Sequence, residues 1–315
     1  MDRKTLILID ASALIYRAYY ALPPLTTKDG MLVNAMYGFT SALFNAIRSL
    51  HPEYIVVAFD SKTKTFRHRA YKEYKANRPK APKELTAQIP LAREVCHMLN
   101  IPHFEAPGFE ADDLIGAITQ ELATYNLQLT TIIVTGDMDT LQLVDDNTQV
   151  YSMARGINKA VIYDEKKVQE RYGFLPEFIV DYKALRGDPS DNIPGVPGVG
   201  EKTATELIKN FGHIENLYKQ ILNSKFETLN KSEFLKFKTS NKLRELLIKY
   251  RKQAILSKHL ATINVKAPVR FKLGDCKIHD YDQAKAIKFF QKLGFKSLIA
   301  RLPKEEKNHQ QDKLF

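Results

Sequence analysis

Cysteine is scarce in this 315-residue chain, which has only Cys96 and Cys276, 180 positions apart. Neither has a second cysteine or a spaced histidine nearby, so a disulfide framework and a Cys-type zinc site are excluded. Long apolar runs are missing too. The longest are strand-sized, such as Leu6-Ile-Leu-Ile9, and the first runs straight into Asp10, so no transmembrane span or signal peptide is read. No internal repeat is found, and a soluble protein of a reducing cytosol is expected. With 44% apolar and 26% charged residues the chain is too apolar for disorder to dominate. At roughly 100–200 residues per domain its length fits two domains.

What is abundant is positive charge. Lys and Arg number 47 against 36 Asp and Glu, a net charge of +11 that points to a polyanionic partner. Residues 62–83 hold nine cations against the single acid Glu73, and residues 202–258 hold thirteen against five. The rest of the chain is slightly acidic. A basic block by itself is usually a solvated face. In the first block, however, Phe66, Tyr71 and Tyr74 alternate with Arg67, Arg69, Lys72, Lys75 and Arg78, the mixture of stacking surfaces and cations that single-stranded nucleic acid requires.

In the first half, short apolar runs alternate with amphipathic stretches, the pattern of an α/β domain with a mostly parallel sheet. Residues 6–9, 54–59 and 131–135 read as buried strands. Met36, Phe39, Leu43, Ile47 and Leu50 recur at helical spacing, as do Leu85, Ile89, Ala92, Cys96 and Leu99. A helix over 110–123 and an edge hairpin pairing 150–152 with 160–163 complete this half. After residue 164 the strand signal fades, and an all-helical part follows a glycine- and proline-rich stretch at 187–200. The polar residues 303–315 lack periodicity and read as a tail or linker.

Each strand runs into an aspartate: Asp10, Asp60 and, after Gly136, Asp137. In open parallel sheets ligands bind beyond the carboxyl ends of the strands, so these three should share a crevice. An N-cap role explains one such aspartate equally well. It does not explain Glu110, Asp112 and Asp113 together with Asp137 and Asp139, since carboxylates this crowded repel unless cations lie between them. Asp188 and Asp191 bring the set to nine, with no His or Cys among them. All-oxygen ligation suits Mg²⁺ or Mn²⁺ rather than zinc, and nine carboxylates exceed the needs of one ion. Two ions in an acidic crevice within a basic exterior describe phosphodiester hydrolysis.

The turn Gly195-Val-Pro-Gly198-Val199-Gly200 leads directly into a stretch beginning Glu201-Lys202-Thr203 with helical periodicity. Glycines permit close backbone approach, and a helix N-terminus offers free N–H groups to an anion. Such contacts position DNA without reading its sequence.

These motifs together resemble the bacterial 5′-nucleases: the 5′→3′ exonuclease domain of DNA polymerase I and its stand-alone and phage relatives, akin to flap endonucleases. The resemblance is carried by Ile9-Asp-Ala-Ser12, Phe59-Asp60, Thr65-Phe-Arg-His-Arg-Ala-Tyr-Lys-Glu-Tyr-Lys-Ala-Asn-Arg78, Gly108-Phe-Glu-Ala-Asp-Asp113, Thr135-Gly-Asp-Met-Asp-Thr-Leu-Gln142 and Leu185-Arg-Gly-Asp-Pro-Ser-Asp-Asn-Ile-Pro-Gly-Val-Pro-Gly-Val-Gly200. It implies a PIN-like catalytic domain over 1–170 with a helical arch over about 66–99. It also implies a helix-three-turn-helix DNA-binding domain over 171–300 and a polar tail over 301–315.

By that resemblance Asp10, Asp60, Glu110 and Asp112 hold a first Mg²⁺ (or Mn²⁺), and Asp112, Asp137, Asp139, Asp188 and Asp191 a second, with Asp113 accompanying them. Tyr16 faces the base beside the scissile phosphate, and Lys75 and Arg78 supply cations to that phosphate. Arg67, Arg69, Lys72, Tyr74, Gly195, Gly198, Val199, Gly200, Lys202 and Thr203 contact DNA, while the Val196 and Val199 carbonyls bind K⁺. The implied activity is Mg²⁺-dependent 5′→3′ exonucleolytic and 5′-flap cleavage of DNA, extending to RNA primers and yielding 5′-phosphates. It would serve replication and repair in the bacterial cytoplasm, near the nucleoid and away from membranes. The chain stops where a polymerase I would continue, so a stand-alone nuclease and a fragment working with a DNA polymerase both fit. A non-catalytic DNA-binding protein would leave the nine carboxylates unexplained. An aspartyl phosphatase would need a second aspartate where Ser12 stands.

Overall fold

The computed structural model of the chain describes residues 3–125, 128–153, 159–222, 241–278 and 281–303. Much of the second basic block and nearly all of the expected tail lie outside these residues. Six strands, β1 (Lys4–Asp10), β2 (Tyr54–Ala58), β3 (His103–Phe104), β4 (Leu129–Thr135), β5 (Thr148–Ser152) and β6 (Val161–Tyr163), form one sheet in the order β3-β2-β1-β4-β5-β6. Every neighbouring pair is parallel except β5 and β6, the antiparallel edge hairpin expected from the sequence.

Alternation along the strands sends side chains to two buried faces. On one, Ile7, Ile9, Val57 and Val134 pack with α1 (Ala11–Ala21), α2 (Asn34–Leu50) and α5 (Ile89–Met98). On the other, Leu6, Leu8, Val56 and Ile133 pack on α6 (Ala111–Thr124) through Leu114, Ile115 and Ile118. The second face continues without a break into the helical part. That part comprises α7 (Glu165–Tyr172), α8 (Ile179–Arg186), α9 (Glu201–Phe211), α10 (Ile214–Ile221), α11 (Asn241–Lys249) and α12 (Arg251–Ala261), and Leu185, Leu207 and Leu217 belong to the same core. The last helices, α13 (Gln283–Lys292) and α14 (Lys296–Ile299), return to the first face, where Phe290 meets Phe44 edge-on. Among the described residues no helix is long and apolar enough to cross a membrane.

The segment expected to be a helical arch is broken into three short helices: α3 (Phe66–Ala70), α4 (Lys83–Thr86) and α5 (Ile89–Met98). α3 ends where Tyr71 turns extended, and Pro79 and Pro82, which cannot donate to a helix ladder, lie between it and α4. The intervening turns lie against the loop after α8: the Lys75 amide donates to the Asp191 carbonyl (2.9 Å), and the Asn77 side chain to the Pro189 carbonyl (2.7 Å).

Candidate active site

The sheet's carboxyl edge gathers the first acids. Asp10 ends β1 and caps α1, its Oδ1 accepting from the Ala13 amide (3.0 Å) and its Oδ2 from Thr135 Oγ1 (2.8 Å). Asp60, two residues past β2, accepts from the Ala111 amide (2.8 Å), which ties it to the first turn of α6. Glu110 is the N-cap of α6, where a negative charge suits the helix dipole. The cap role and the shared crevice are therefore both realised.

Glu110 also receives Lys75 Nζ (2.9 Å) and the Tyr74 hydroxyl (3.1 Å). The same hydroxyl reaches Asp191 (2.9 Å), Lys75 lies 3.6 Å from Asp191, and Arg78 pairs with Asp191. Tyr74 thus spans Glu110 of the first carboxylate group and Asp191 of the second with one phenol. In the second group Lys183 Nζ pairs with Asp139 and lies 2.6 Å from Asp188. Asp188 is also tied to the Ser190 amide and hydroxyl, and Asp137 accepts from the Asp139 amide. Two ammonium groups, Lys75 and Lys183, and two guanidiniums, Arg78 and Arg67, the latter 3.4 Å from Glu110, hold this acidic crevice together.

The electrostatics follow. Burial, then the nearby charge of Asp60, raises Asp10 to about 7. Burial and then Asp137 raise Asp139 to about 7, and burial with Glu110 and Asp113 holds Asp112 well above the ordinary carboxylate range despite Arg67. Burial works on Asp188 in the same direction, but Lys183 and Ser190 outweigh it and keep that carboxyl at about 2. Burial opposes the charge on Lys75, yet Glu110 and Asp191 more than offset it, so the ammonium persists. Lys75 also adopts φ +55, a left-handed conformation uncommon for non-glycine residues and enriched at working sites.

The donor set fits hard divalent cations. It is all oxygen, it is buried and crowded enough to raise two members to about 7, and Asp112 Oδ1 is buried without a hydrogen-bond partner among the described residues. The only three-residue group among the described residues whose ligand atoms already lie within 4.8 Å of one another is elsewhere: Asp181, His213 and Glu215. Lys258, 2.6 Å from Asp181 and 2.8 Å from Glu215, fills that group, which joins α8, α10 and α12 as an ion-pair network.

A pH dependence follows. In the unfolded chain Asp10 and Asp139 would titrate near the ordinary value of about 3.9. Their folded values are higher, so the folded state binds more protons between pH 4 and 7, and stability without divalent ions falls as pH rises through that window. The depressed Asp188 acts only below it. Mg²⁺ should therefore raise the melting temperature little at pH 5.5 and by several degrees at pH 8, measured by circular dichroism against EDTA. Equal shifts at both values would contradict cation binding by these carboxylates.

Five expected contacts need correction. Arg67 is not a DNA contact: it is 2% exposed, its guanidinium grips both oxygens of Asp113 (2.8 and 2.9 Å), and it donates to the Leu260 and Thr262 carbonyls. Asp113 accordingly does not face the crevice. Fully buried, it accepts from Arg67 and from the Asn264 and Glu110 amides, leaving no lone pair directed at the acidic group. Tyr74, 3% exposed, is committed to Glu110 and Asp191 and offers no ring to a base.

The glycine turn supplies the other two. Gly195 is buried at φ +61, where a Cβ would lie 2.2 Å from the Gly187 nitrogen, so its glycine serves packing between two loop strands. The Val199 amide closes a turn onto the Val196 carbonyl (3.0 Å) and is not free for phosphate. Exposed Gly198 at φ +83, Gly200 and Lys202 remain available there, with half-buried Thr203 next to them. Arg69 and Lys72 are also exposed. Tyr16, on α1 and 40% exposed, has its hydroxyl pushed up by partial burial and by Asp60, which sets its ring beside the first group. Lys183 was missed by sequence reading, although it stands five residues before Asp188 on the helix leading to that loop.

Two family models cover nearly the whole chain: the N-terminal resolvase-like domain of 5′-3′ exonuclease over residues 5–173, and its C-terminal SAM fold over 174–284. The chain belongs to the 5′-3′ exonuclease family. The chain is 39% identical over 311 residues to DNA polymerase I of Bacillus subtilis (strain 168), covering 99% of this chain and 34% of that protein. It is 40% identical over 300 residues to DNA polymerase I of Bacillus caldotenax, covering 95% and 32%. The chain therefore spans about a third of the length of these relatives.

Among solved structures, T5 5′-exonuclease with bound zinc matches with a TM-score of 0.65 at 21% identity, covering 83% of this chain and 90% of that one. A T5 flap endonuclease complex with DNA and metal ions gives 0.63 at 19%, covering 95% and 96%. The catalytic core of Rad2 with DNA substrate gives 0.56 at 18%, covering 95% and 90%. These likenesses establish the fold, a mainly parallel α/β domain joined to a helical one.

Proposed function

We propose that this member of the 5′-3′ exonuclease family hydrolyses phosphodiesters at DNA 5′ ends and 5′ flaps with two divalent cations, Mg²⁺ or Mn²⁺, releasing 5′-phosphorylated products. The observation that carries this reading is the pair of carboxylate groups spanned by Tyr74, with the unpartnered Asp112 oxygen among them. Asp10, Asp60, Glu110 and Asp112 would hold one ion and Asp112, Asp137, Asp139, Asp188 and Asp191 the other. Ions bound there supply Lewis acidity at a phosphoryl oxygen and lower the pKa of water.

The chain's own residues complete the site. Lys75 and Arg78, now paired with Glu110 and Asp191, can exchange those carboxylates for the scissile phosphate and stabilise its developing charge. Tyr16 offers a ring to the adjacent base. Gly198, Gly200, Lys202 and Thr203 hold backbone phosphates, with K⁺ on the Val196 and Val199 carbonyls. RNA primers annealed to DNA are substrates of the same chemistry, a DNA polymerase is the partner in replication and repair, and the bacterial cytoplasm is the setting.

The test is a 5′-flap duplex labelled at either end, incubated with Mg²⁺, Mn²⁺ or EDTA. Flap release and stepwise shortening from the 5′ end with either metal, and none in EDTA, are expected. No cleavage with either metal would overturn the proposal.

A further inference from the structure

Beside the second carboxylate group lies a cavity of about 430 Å³. Asp137, Asp139 and Asp188 line it, and so do Lys183 and four arginines, Arg78 and the three considered next, Arg17, Arg171 and Arg186. Among the described residues no ion pair involves Arg17, Arg171 or Arg186, whereas Arg78 and Lys183 in the same lining are paired with Asp191 and with Asp139 and Asp188. Their postures differ accordingly. Arg171 donates to the Tyr163 hydroxyl (2.7 Å) and stacks over the rings of Tyr163 and Tyr172, and Arg186 lies over Tyr182, 5.8 Å from its centroid. Arg17 passes Gly136, where a Cβ would stand 3.6 Å from its Cδ.

A helix C-terminus attracts cations, and Arg171 and Arg186 stand in the last turns of α7 and α8. That effect does not explain Arg17, within α1, nor the lining of one cavity by all three. Cations serving only to neutralise Asp137, Asp139 and Asp188 would pair with them as Lys183 does. Guanidinium forks held on aromatic rings, short of nearby carboxylates, are available to another anion, and their planar geometry matches two oxygens of a phosphate.

We infer that Arg17, Arg171 and Arg186 form a seat for the phosphate next to the scissile one on the strand being cut, an inference that rests on the nuclease reading above. The carboxylate wall and its ions take the scissile phosphate, and the arginine wall takes its neighbour, so two consecutive phosphates fix the register of cleavage.

The probe is a 5′-flap duplex carrying one neutral methylphosphonate, on either side of the scissile position, with binding measured in EDTA so that no cleavage is needed. For the unaltered protein, one of the two placements should weaken binding about tenfold. Arg171→Ala/Arg186→Ala should bind the unmodified flap about tenfold more weakly, with the salt slope reduced by about 0.9 per lost contact. The same methylphosphonate should then cost less than about twofold more, the non-additivity of groups in contact. Arg17→Gln, tested separately, should also lose the penalty, and melting temperatures establish that each variant is folded. A penalty that persists at full size in both variants overturns the seat even if the protein cleaves flaps. A lost penalty in a protein that cleaves nothing keeps the seat and removes the nuclease reading.

Discussion

Asp112→Asn should lower flap cleavage by about a thousandfold or more, roughly 4 kcal/mol of transition-state stabilisation, while DNA affinity in EDTA stays equal or tightens. Asp112 is assigned to both carboxylate groups, and its Oδ1 is the buried oxygen without a partner. The amide removes an ionic ligand, so metal-dependent turnover falls. It also replaces a carboxyl whose ionisation burial and Glu110 already disfavour, so the cation-free protein loses nothing and phosphates are repelled no more than before. Neighbouring Asp113→Asn should do the opposite, lowering the melting temperature by several degrees through the Arg67 pair. Single-turnover cleavage, fluorescence anisotropy with the flap and thermal melts on both variants separate these outcomes. Asp112→Asn turnover within about tenfold of the unaltered protein would count heavily against the two-ion assignment.

That contrast marks how far the sequence could be read. Asp10, Asp60 and Asp137 were legible because a parallel sheet sends its carboxyl edge to one side, and β1 ends at Asp10 while β2 and β4 end two residues before Asp60 and Asp137. The glycine turn before α9 was legible for a similar local reason. Asp112 and Asp113 are adjacent and chemically alike, and only their positions on α6 separate them. In the structure Glu110 at the N-cap and Asp113 three residues later form a reciprocal capping pair that commits Asp113 to the backbone, but Glu-x-x-Asp is not the Ser/Thr-x-x-Glu/Gln pattern that marks such a cap in a sequence.

Arg67 carries no local mark either. Arg69 and Lys72 have the same composition around them and are exposed, while the partners that bury Arg67 come from Asp113 and from the carbonyls of Leu260 and Thr262, nearly two hundred residues away. Tyr74 was misread likewise, since alternation with cations describes a nucleic-acid surface and a buried polar network equally well. Lys183 needed the second group to be assembled in space, because charge balance among distant carboxylates has no sequence period.

Arg67→Met should destabilise the protein by about 3–5 kcal/mol, the largest stability effect expected of any single substitution here, because it leaves Asp113 buried and charged without its cation. The same guanidinium also joins α6 to the end of α12 through two carbonyls, so the loss extends to the packing of the helical part on the catalytic sheet. Arg67→Met/Asp113→Asn should recover a substantial fraction of that loss, since removing both charges spares the uncompensated burial. A surface role in DNA binding predicts otherwise: a melt unchanged within about 0.5 kcal/mol, flap affinity reduced, and no rescue by Asp113→Asn. Urea denaturation of the single and double variants, set beside flap affinity measured below the unfolding transition, separates the two roles. Recovery in the double variant would assign Arg67 to the frame that holds Glu110 at the head of α6. Full-size destabilisation persisting in the double variant would mean that the carbonyl contacts to α12, more than the charge of Asp113, are what Arg67 supplies.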